Sequence, residues 1–181
     1  MKIKCLDGAT PLEQDELVDL IPAHVTTQNQ LNRWEQKNIL FAEAWAREKV
    51  EIVSVEFVKK LHEYMFNETW KWAGKFRHSA KNIGIDWHII PIALRDLCDD
   101  VNYQLKHETF SIDEIAIRFH HRLVFIHPFV NGNGRHARLM ADLLVMLQRG
   151  KRFSWGMKQD LSKTSVVRQH YINALKRADR G

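Results

Sequence analysis

The sequence has 181 residues, 45% of them hydrophobic and 27% charged, which is typical of one soluble globular domain. No stretch approaches the roughly 20 apolar residues of a membrane span, and the first residues lack the apolar run of a signal peptide. The two cysteines, Cys5 and Cys98, lie far apart, which argues against a disulfide framework and a zinc ribbon. We therefore expect a cytoplasmic protein whose net charge of +5 suits anionic partners.

Helical periodicity recurs along the chain, with glycine and proline between the periodic stretches. Helices are predicted over residues 10–20, 28–49, 54–66, from 91, 111–126, 133–148 and 165–178. Ser54 and Ser111 are predicted caps, and Ser111 with Glu114 forms a capping-box pattern. In the second helix an apolar side is predicted to contain Leu31, Trp34, Phe41, Ala42 and Trp45.

The helix that follows Asn133 is apolar on more than one side, which predicts a buried central helix. Residues 77–90 carry no helical pattern, and we expect a loop there with a short β-hairpin. The predicted fold is therefore mainly α, a helical bundle around the helix over residues 133–148.

The segment from His127 to Arg138 carries the strongest chemical pattern. Gly132 and Gly134 precede a helix, where free N–H groups and the helix dipole attract anions and glycine permits a close approach. Arg135 and Arg138 share one face of the first turns and suit a di- or triphosphate. His127 lies just upstream, where a neutral imidazole accepts a proton from an attacking hydroxyl.

A simple structural interpretation of the same segment is a tight turn, two solvated arginines and a histidine at a helix end. The core helix behind the loop favours the phosphate site, because arginines at the start of a buried helix need a counter-anion.

The whole segment resembles the signature of the Fic family, which has a histidine, a phenylalanine, an acidic residue, Gly-Asn-Gly-Arg and a second arginine. The stretches from Leu61 to Phe66, from Trp72 to Arg77 and from Tyr171 to Leu175 resemble other parts of the family's core. The sequence is most similar to the subgroup called mobile mystery protein B, typically described beside a small helix-turn-helix companion in mobile elements. This resemblance implies an extension over residues 1–50 and a Fic domain over residues 51–181.

The resemblance implies a protein adenylyltransferase, which moves AMP from Mg-ATP to a hydroxyl side chain of a target protein. By position, His127 would be the general base and Phe129 a core anchor. Gly132, Asn133 and Gly134 would bind the α- and β-phosphates. The β- and γ-phosphates would be held by Arg135 and Arg138, respectively. Residues 81–90, with Ile83, Gly84 and Ile85 at their centre, would form the flap that docks the target by strand addition.

One position departs from the family's pattern, because Asn131 replaces the acidic residue that would hold Mg²⁺. Three outcomes stay open: weaker magnesium binding, a metal held mainly by the phosphates, or loss of transferase activity. The alternative functions are a nucleotide-binding regulator or toxin-like module without transferase activity, and transfer of a different phosphate-containing group.

Glu35 lies on the apolar face of the second predicted helix, where a carboxylate is costly unless it is paired. One interpretation places it at the edge of the face, in contact with water. The other comes from the family, in which an inhibitory glutamate pairs with the motif's second arginine. We therefore predict a pair between Glu35 and Arg138 that acts as an internal brake, although Leu31 and Gln36 match the family's flanking pattern poorly.

Two other classes of function would draw on different residues of the sequence. A metal-dependent hydrolase would use the histidines that cluster in sequence, which are His120, His121, His127 and His136, but no HExxH spacing is present. A nucleic-acid-binding module would use basic and aromatic residues near the C-terminus, which are Lys151, Arg152, Phe153, Trp155, Lys176, Arg177 and Arg180. Charge runs of this size are usually solvated faces, so direct nucleic-acid binding is not expected.

Overall fold

The computed structural model describes residues 14–155 and 166–180, and the regular structure within them is helical. A single 3-10 turn, Trp87–Ile89, precedes the fourth α-helix. The α-helices are α1 (Gln14–Leu17), α2 (Gln28–Ala46), α3 (Val55–Phe66), α4 (Ile90–His107), α5 (Ile112–Ile126), α6 (Asn133–Leu147) and α7 (Val166–Ala178). The predicted starts of the first and last helices, at Thr10 and Ser165, lie outside the described residues.

Side-chain caps set the starts of three helices. Ser54 and Ser111 each accept the backbone N–H three residues ahead, at 3.1 and 3.3 Å, which confirms both predicted caps. Thr27 and Gln30 form a complete capping box at the start of α2. By contrast, α6 begins after the left-handed Gly132 with no side-chain cap, so its first N–H groups stay available to a ligand.

The core lies around α6, as predicted. Ten residues of this helix are buried, on several sides of it, and it packs on α5 and α3. α2 packs on α3, and α4 packs on α5, so the bundle presents the N-terminal end of α6 beside the end of α5. No helix within the described ranges combines the length and the apolar character that crossing a bilayer requires.

The predicted β-hairpin over the flap is wrong. Residues 77–86 consist of bends and irregular backbone, and the 3-10 turn follows directly. Within the described residues, strand-type pairing is limited to two isolated bridges, Leu20 with Trp70 and Phe76 with Phe129. The physical reason is that carbonyl groups of this stretch accept hydrogen bonds from the Arg77 guanidinium instead of from a partner strand.

The predicted apolar face of α2 is also wrong at one position. Phe41 is 66% exposed, whereas Ala42 beside it is fully buried. Successive residues of a helix point about 100° apart, so a face centred on Ala42 turns Phe41 away from the core. The buried residues of this helix are Leu31, Glu35, Asn38, Ala42 and Ala46.

Candidate functional site

His127 lies at the junction between α5 and the motif loop. It caps α5 in the left-handed conformation, with φ 54° and ψ 59°, and its N–H donates to the Leu123 carbonyl. The side chain is buried, and its Nδ1 lies 3.3 Å from the carbonyl oxygen of Val124. That contact assigns the proton to Nδ1, so the acceptor lone pair belongs to Nε2, as a general base requires.

The motif loop is braced by its own side chains and by α3. Asn133 forms two hydrogen bonds of 2.9 Å with the backbone N–H and C=O of Phe129, which is fully buried as predicted. Gly132 has φ 79°, and a Cβ there would lie 2.6 Å from two ring atoms of Phe66. Only glycine fits this turn, because any side chain would be strained and would collide with a core aromatic ring.

The N-terminus of α6 combines backbone donors with two cations. Its first turn leaves N–H groups around Gly134 without intrahelical acceptors, and the helix dipole adds positive potential there. The Arg135 guanidinium lies over the Phe66 ring at 4.9 Å, and the Arg138 guanidinium lies over the Tyr171 ring at 5.4 Å. The residues predicted to bind phosphate thus occur at one helix end, as an anion site needs.

His62 on α3 supports this loop and was not singled out from the sequence. It is completely buried, its Nδ1 accepts the Gly74 N–H at 3.0 Å, and its Nε2 donates to the Asn131 carbonyl at 3.0 Å. Its ring stacks on Phe129 with centroids 3.7 Å apart. Its only sequence signal was its place in the stretch from Leu61 to Phe66 that resembles the family's upstream helix.

Glu35 is buried and reaches the motif, but its partner differs from the prediction. Its Oε2 accepts from Arg135 Nη1 at 2.7 Å, and its Oε1 accepts from Trp70 Nε1 at 2.9 Å. The predicted pair with Arg138 is therefore wrong. Trp70 directs the carboxylate to the first turn of α6, where Arg135 lies, while the Arg138 guanidinium lies over Tyr171 on α7.

Asn131 does not present a magnesium site in this conformation. Its side-chain Oδ1 accepts the Gly132 N–H at 2.6 Å, and its carbonyl accepts from His62. A neutral amide oxygen that is already hydrogen-bonded is a poor ligand for a cation that prefers carboxylates and water. Asn131 thus offers at most one neutral ligand to a magnesium ion.

The flap packs against the side chain of His127. Ile83 and Gly84 are exposed and Ile85 is half-buried, as a docking segment requires. Gly84 has φ 105°, and a Cβ there would lie 2.6 Å from the Cβ of His127. The flap backbone and the predicted general base are therefore in direct contact.

The side chains that a metal-dependent hydrolase or a nucleic-acid-binding module would use each contact different partners. His120 bonds to the Tyr171 hydroxyl, His121 to Asp179 and His136 to the Val58 carbonyl. In the described part of the chain, no group of three potential ligands lies close enough to hold a metal ion. Near the C-terminus, the buried Asp142 accepts hydrogen bonds from Arg152 and Trp155, and Arg152 also pairs with Glu43.

Burial lowers the pKa of several histidines near the site. Burial is the main reason why the pKa of His127 is lowered to about 4. The Val124 carbonyl raises this pKa, whereas the Arg77 and Lys81 cations lower it further. The pKa of His136 is also lowered to about 4, and that of His62 lies well below its usual range, in both cases mainly by burial. At neutral pH the imidazole of His127 is thus in its basic form.

We expect the free energy of unfolding to fall as the pH drops from about 6.5 towards 4. The unfolded chain binds these protons near pH 6.5, whereas the native histidines take them up only at much lower pH, so acid favours unfolding. Urea denaturation at several pH values measures how the free energy of unfolding changes with pH. His120, with a pKa of about 3 caused mainly by burial, should contribute to it, so His120→Gln should flatten the curve. His78→Gln, at an exposed site, is the control, and a flat wild-type curve would contradict the burial argument.

Comparison with known proteins places this site in a family. The model of the Fic/DOC family matches residues 52–145, which include α3, α4, α5, the motif loop and most of α6. The chain belongs to the Fic/DOC family. The matched residues contain every predicted phosphate-binding residue and His127, whereas Glu35 and α2 lie before them.

Curated relatives of this Fic chain include animal adenylyltransferases. It is 33% identical over 98 residues to protein adenylyltransferase fic-1 of Caenorhabditis briggsae, covering 52% of this chain and 19% of that protein. It is 28% identical over 106 residues to protein adenylyltransferase Fic of Nematostella vectensis, covering 55% and 24%. The chain thus spans only a small part of the relatives it matches.

Solved structures show the same Fic fold. The N-terminal Fic domain of Bep8 from Bartonella sp. 1-1C has a TM-score of 0.62 at 15% identity, covering 85% of this chain and 78% of that one. BepC of Bartonella tribocorum, solved with bound AMPPNP, has a TM-score of 0.57 at 18% identity, covering 74% and 79%.

Proposed function

We propose that this chain is a protein adenylyltransferase that transfers AMP from ATP to a hydroxyl side chain of a target protein. The observation that carries the proposal is the position of His127, whose imidazole is neutral and buried beside the uncapped, arginine-bearing N-terminus of α6. The names of the curated relatives and the AMPPNP bound to BepC support ATP as the substrate.

In the proposed reaction, Nε2 of His127 takes the proton of the target hydroxyl as its oxygen attacks the α-phosphorus. The new oxygen–phosphorus bond forms as the bond between the α-phosphorus and the bridging oxygen breaks, and pyrophosphate leaves. Backbone N–H groups of Asn133 and Gly134 neutralise the developing charge. Arg135 and Arg138 hold the β- and γ-phosphates. Catalysis rests on positioning and charge, as phosphoryl chemistry generally does.

The substrate of this proposal is ATP with its own Mg²⁺, bound chiefly through phosphate oxygens. Asn131 adds at most a neutral ligand, and no step is assigned to a protein-held metal. The replacement of an acidic residue by Asn131 also favours a second candidate, a Fic-fold regulator that binds nucleotide without transferring any part of it.

The proposal includes an internal brake on α2. Oε2 of Glu35 forms an ion pair with Nη1 of Arg135 at 2.7 Å, and Arg135 is the residue assigned to the β-phosphate. A phosphate must compete with this carboxylate, so the isolated chain binds nucleotide weakly or in an unproductive pose. The extension over residues 1–50 would then be the regulatory part and residues 51–181 the Fic domain.

Further parts of the proposal concern the setting of the reaction. We place the protein in the cytoplasm, in the mobile mystery protein B subgroup, with a small helix-turn-helix companion protein as a candidate partner. The target docks on the flap around Ile83, Gly84 and Ile85. Because the hairpin is absent, docking would use the backbone of an irregular loop.

We expect ATP labelled at the α-phosphate to label a protein in a cell lysate only when His127 is present. Wild type, Glu35→Gly, and Glu35→Gly with His127→Ala are compared, because removal of the brake should increase the signal and loss of the base should abolish it. ATP labelled at the γ-phosphate is the control for transfer of a different group. ATP binding without label in all variants would contradict the transferase and favour the regulator.

A further inference from the structure

Arg77 is a buried cation whose guanidinium donates hydrogen bonds to four backbone carbonyls. Only 2% of the residue is exposed. Its Nε donates to the His127 carbonyl at 2.7 Å, and Nη2 donates to the Ile126 carbonyl at 3.4 Å. Its Nη1 and Nη2 donate to the carbonyls of Ser79 and Ile85 at 2.8 and 2.5 Å. Burial lowers the pKa of this guanidinium, and the charge of Asp86 opposes that effect.

These four carbonyls belong to two different parts of the site. Ser79 lies just before the flap and Ile85 lies within it, whereas Ile126 and His127 form the end of α5. The backbone of Arg77 adds a further link, because its N–H donates to the Pro128 carbonyl at 2.9 Å. One side chain therefore joins the flap to the backbone of the predicted general base.

The conformation of His127 requires such support. A residue with a side chain enters the left-handed region only at an energetic cost, and His127 does so with φ 54°. The hydrogen bonds from Arg77 to His127 and Pro128 fix the peptide groups that set this conformation. On the other side, the hydrogen bonds from Arg77 to Ser79 and Ile85 hold the flap close to His127. A Cβ added at Gly84 would lie 2.6 Å from the Cβ of His127 and 2.7 Å from Nη2 of Arg77.

We propose that Arg77 is a positioning residue that holds the target-docking flap and His127 together as one unit. In this chain the guanidinium does what strand pairing would do in a hairpin. It fixes the distance between the flap backbone and His127, so that the hydroxyl of a target docked on the flap arrives at Nε2 of His127. The flap's docking role rests on the proposed function, whereas the coupling between flap and His127 does not.

Lysine cannot replace arginine in this role. The planar guanidinium fork directs donors to several carbonyls at fixed angles, whereas an ammonium is a compact charge with three rotating donors. A second anchor, Lys81, lies farther along the flap and pairs with Glu16 on α1 at 2.5 Å, with only 1% of its side chain exposed. Loss of Arg77 should therefore loosen the flap near His127 without releasing it entirely.

The test compares Arg77→Lys with Arg95→Lys, a matched substitution at an exposed arginine of α4. Amide hydrogen exchange reports on the flap, NMR titration reports the pKa of His127, and calorimetry reports ATP affinity. In Arg77→Lys we expect faster exchange over residues 79–86 and a His127 pKa that rises from about 4 towards its usual value. ATP affinity should change by less than about threefold, because the phosphate site lies on α6. Arg95→Lys should leave all three unchanged.

The proposal is overturned if a folded Arg77→Lys protein keeps wild-type exchange and His127 titration, or if ATP affinity falls in parallel with stability. If Arg77→Lys does not fold, Gly84→Ala tests the same coupling from the exposed flap, because its Cβ would push the flap away from His127. It should raise the His127 pKa, and an unchanged titration would overturn the proposal. None of these readouts requires catalysis, so a failure of the proposed transferase would not be mistaken for a failure of the coupling.

Discussion

A Gly134→Ala variant should fold normally and lose roughly 10- to 100-fold in ATP affinity, because one hydrogen bond to a charged group contributes about 1.5–3 kcal/mol. A Cβ at this position would meet only Arg138 Nη1, at 3.7 Å, which is an ordinary contact. Alanine also favours a helix over glycine by about 1 kcal/mol, so stability should not fall. The methyl group would instead stand over the N–H groups that the phosphates approach.

Isothermal titration with ATP and with adenosine measures this effect. Adenosine lacks phosphates, so its binding should be unchanged in Gly134→Ala. The contrasting variant is Gly132→Ala, whose Cβ would lie 2.6 Å from the Phe66 ring at a positive φ. That variant should lose stability as well as ATP binding. If Gly134→Ala kept the wild-type ATP affinity, the proposal that the phosphates bind at the N-terminus of α6 would be contradicted.

The elements that sequence predicted well depend on local signals. Caps at Ser54 and Ser111 act within three residues of themselves, and the apolar residues of α6 lie within one helix. The glycines of the motif also act locally, because they set the turn into α6. The helical fold and the glycine turn that starts α6 could therefore be predicted from short stretches of sequence.

The features that sequence did not predict depend on contacts between distant residues. Arg77 organises the flap through carbonyls up to 50 positions away, so no pattern within residues 77–90 could distinguish its loop from a hairpin. His62 contacts the Asn131 carbonyl from 69 positions away. Periodicity likewise placed Glu35 on the buried face of α2, but its pairing with Arg135 depends on Trp70, which lies in the segment after α3.

Replacing Glu35 should have opposite effects on stability and on ATP affinity. The carboxylate is buried and bonds both Trp70 and Arg135, so its removal in Glu35→Gly leaves a buried N–H without a partner, at a cost of about 1–3 kcal/mol. The same change frees Arg135 for a phosphate. If the carboxylate and the nucleotide compete, ATP affinity should rise by roughly tenfold, within the usual range of coupling between sites.

Glu35→Gln separates the two contributions. Its amide oxygen can still accept from Trp70, so stability should fall less than in Glu35→Gly, but it no longer neutralises the Arg135 guanidinium. Chemical denaturation without nucleotide gives the stability, and calorimetry gives the ATP affinity. Glu48→Gln, at an exposed position after α2, is the matched control and should change neither quantity.

The directions of the changes in stability and in ATP affinity distinguish a brake from a structural ion pair. A purely structural Glu35 would hold Arg135 in the geometry that phosphates need, so both substitutions would lower stability and ATP affinity together. A brake lowers stability when it is removed and raises affinity, because the same guanidinium serves either the carboxylate or the β-phosphate. With Arg135→Ala added to Glu35→Gln, the gain in affinity should disappear, since the residue for which the two anions compete would be absent.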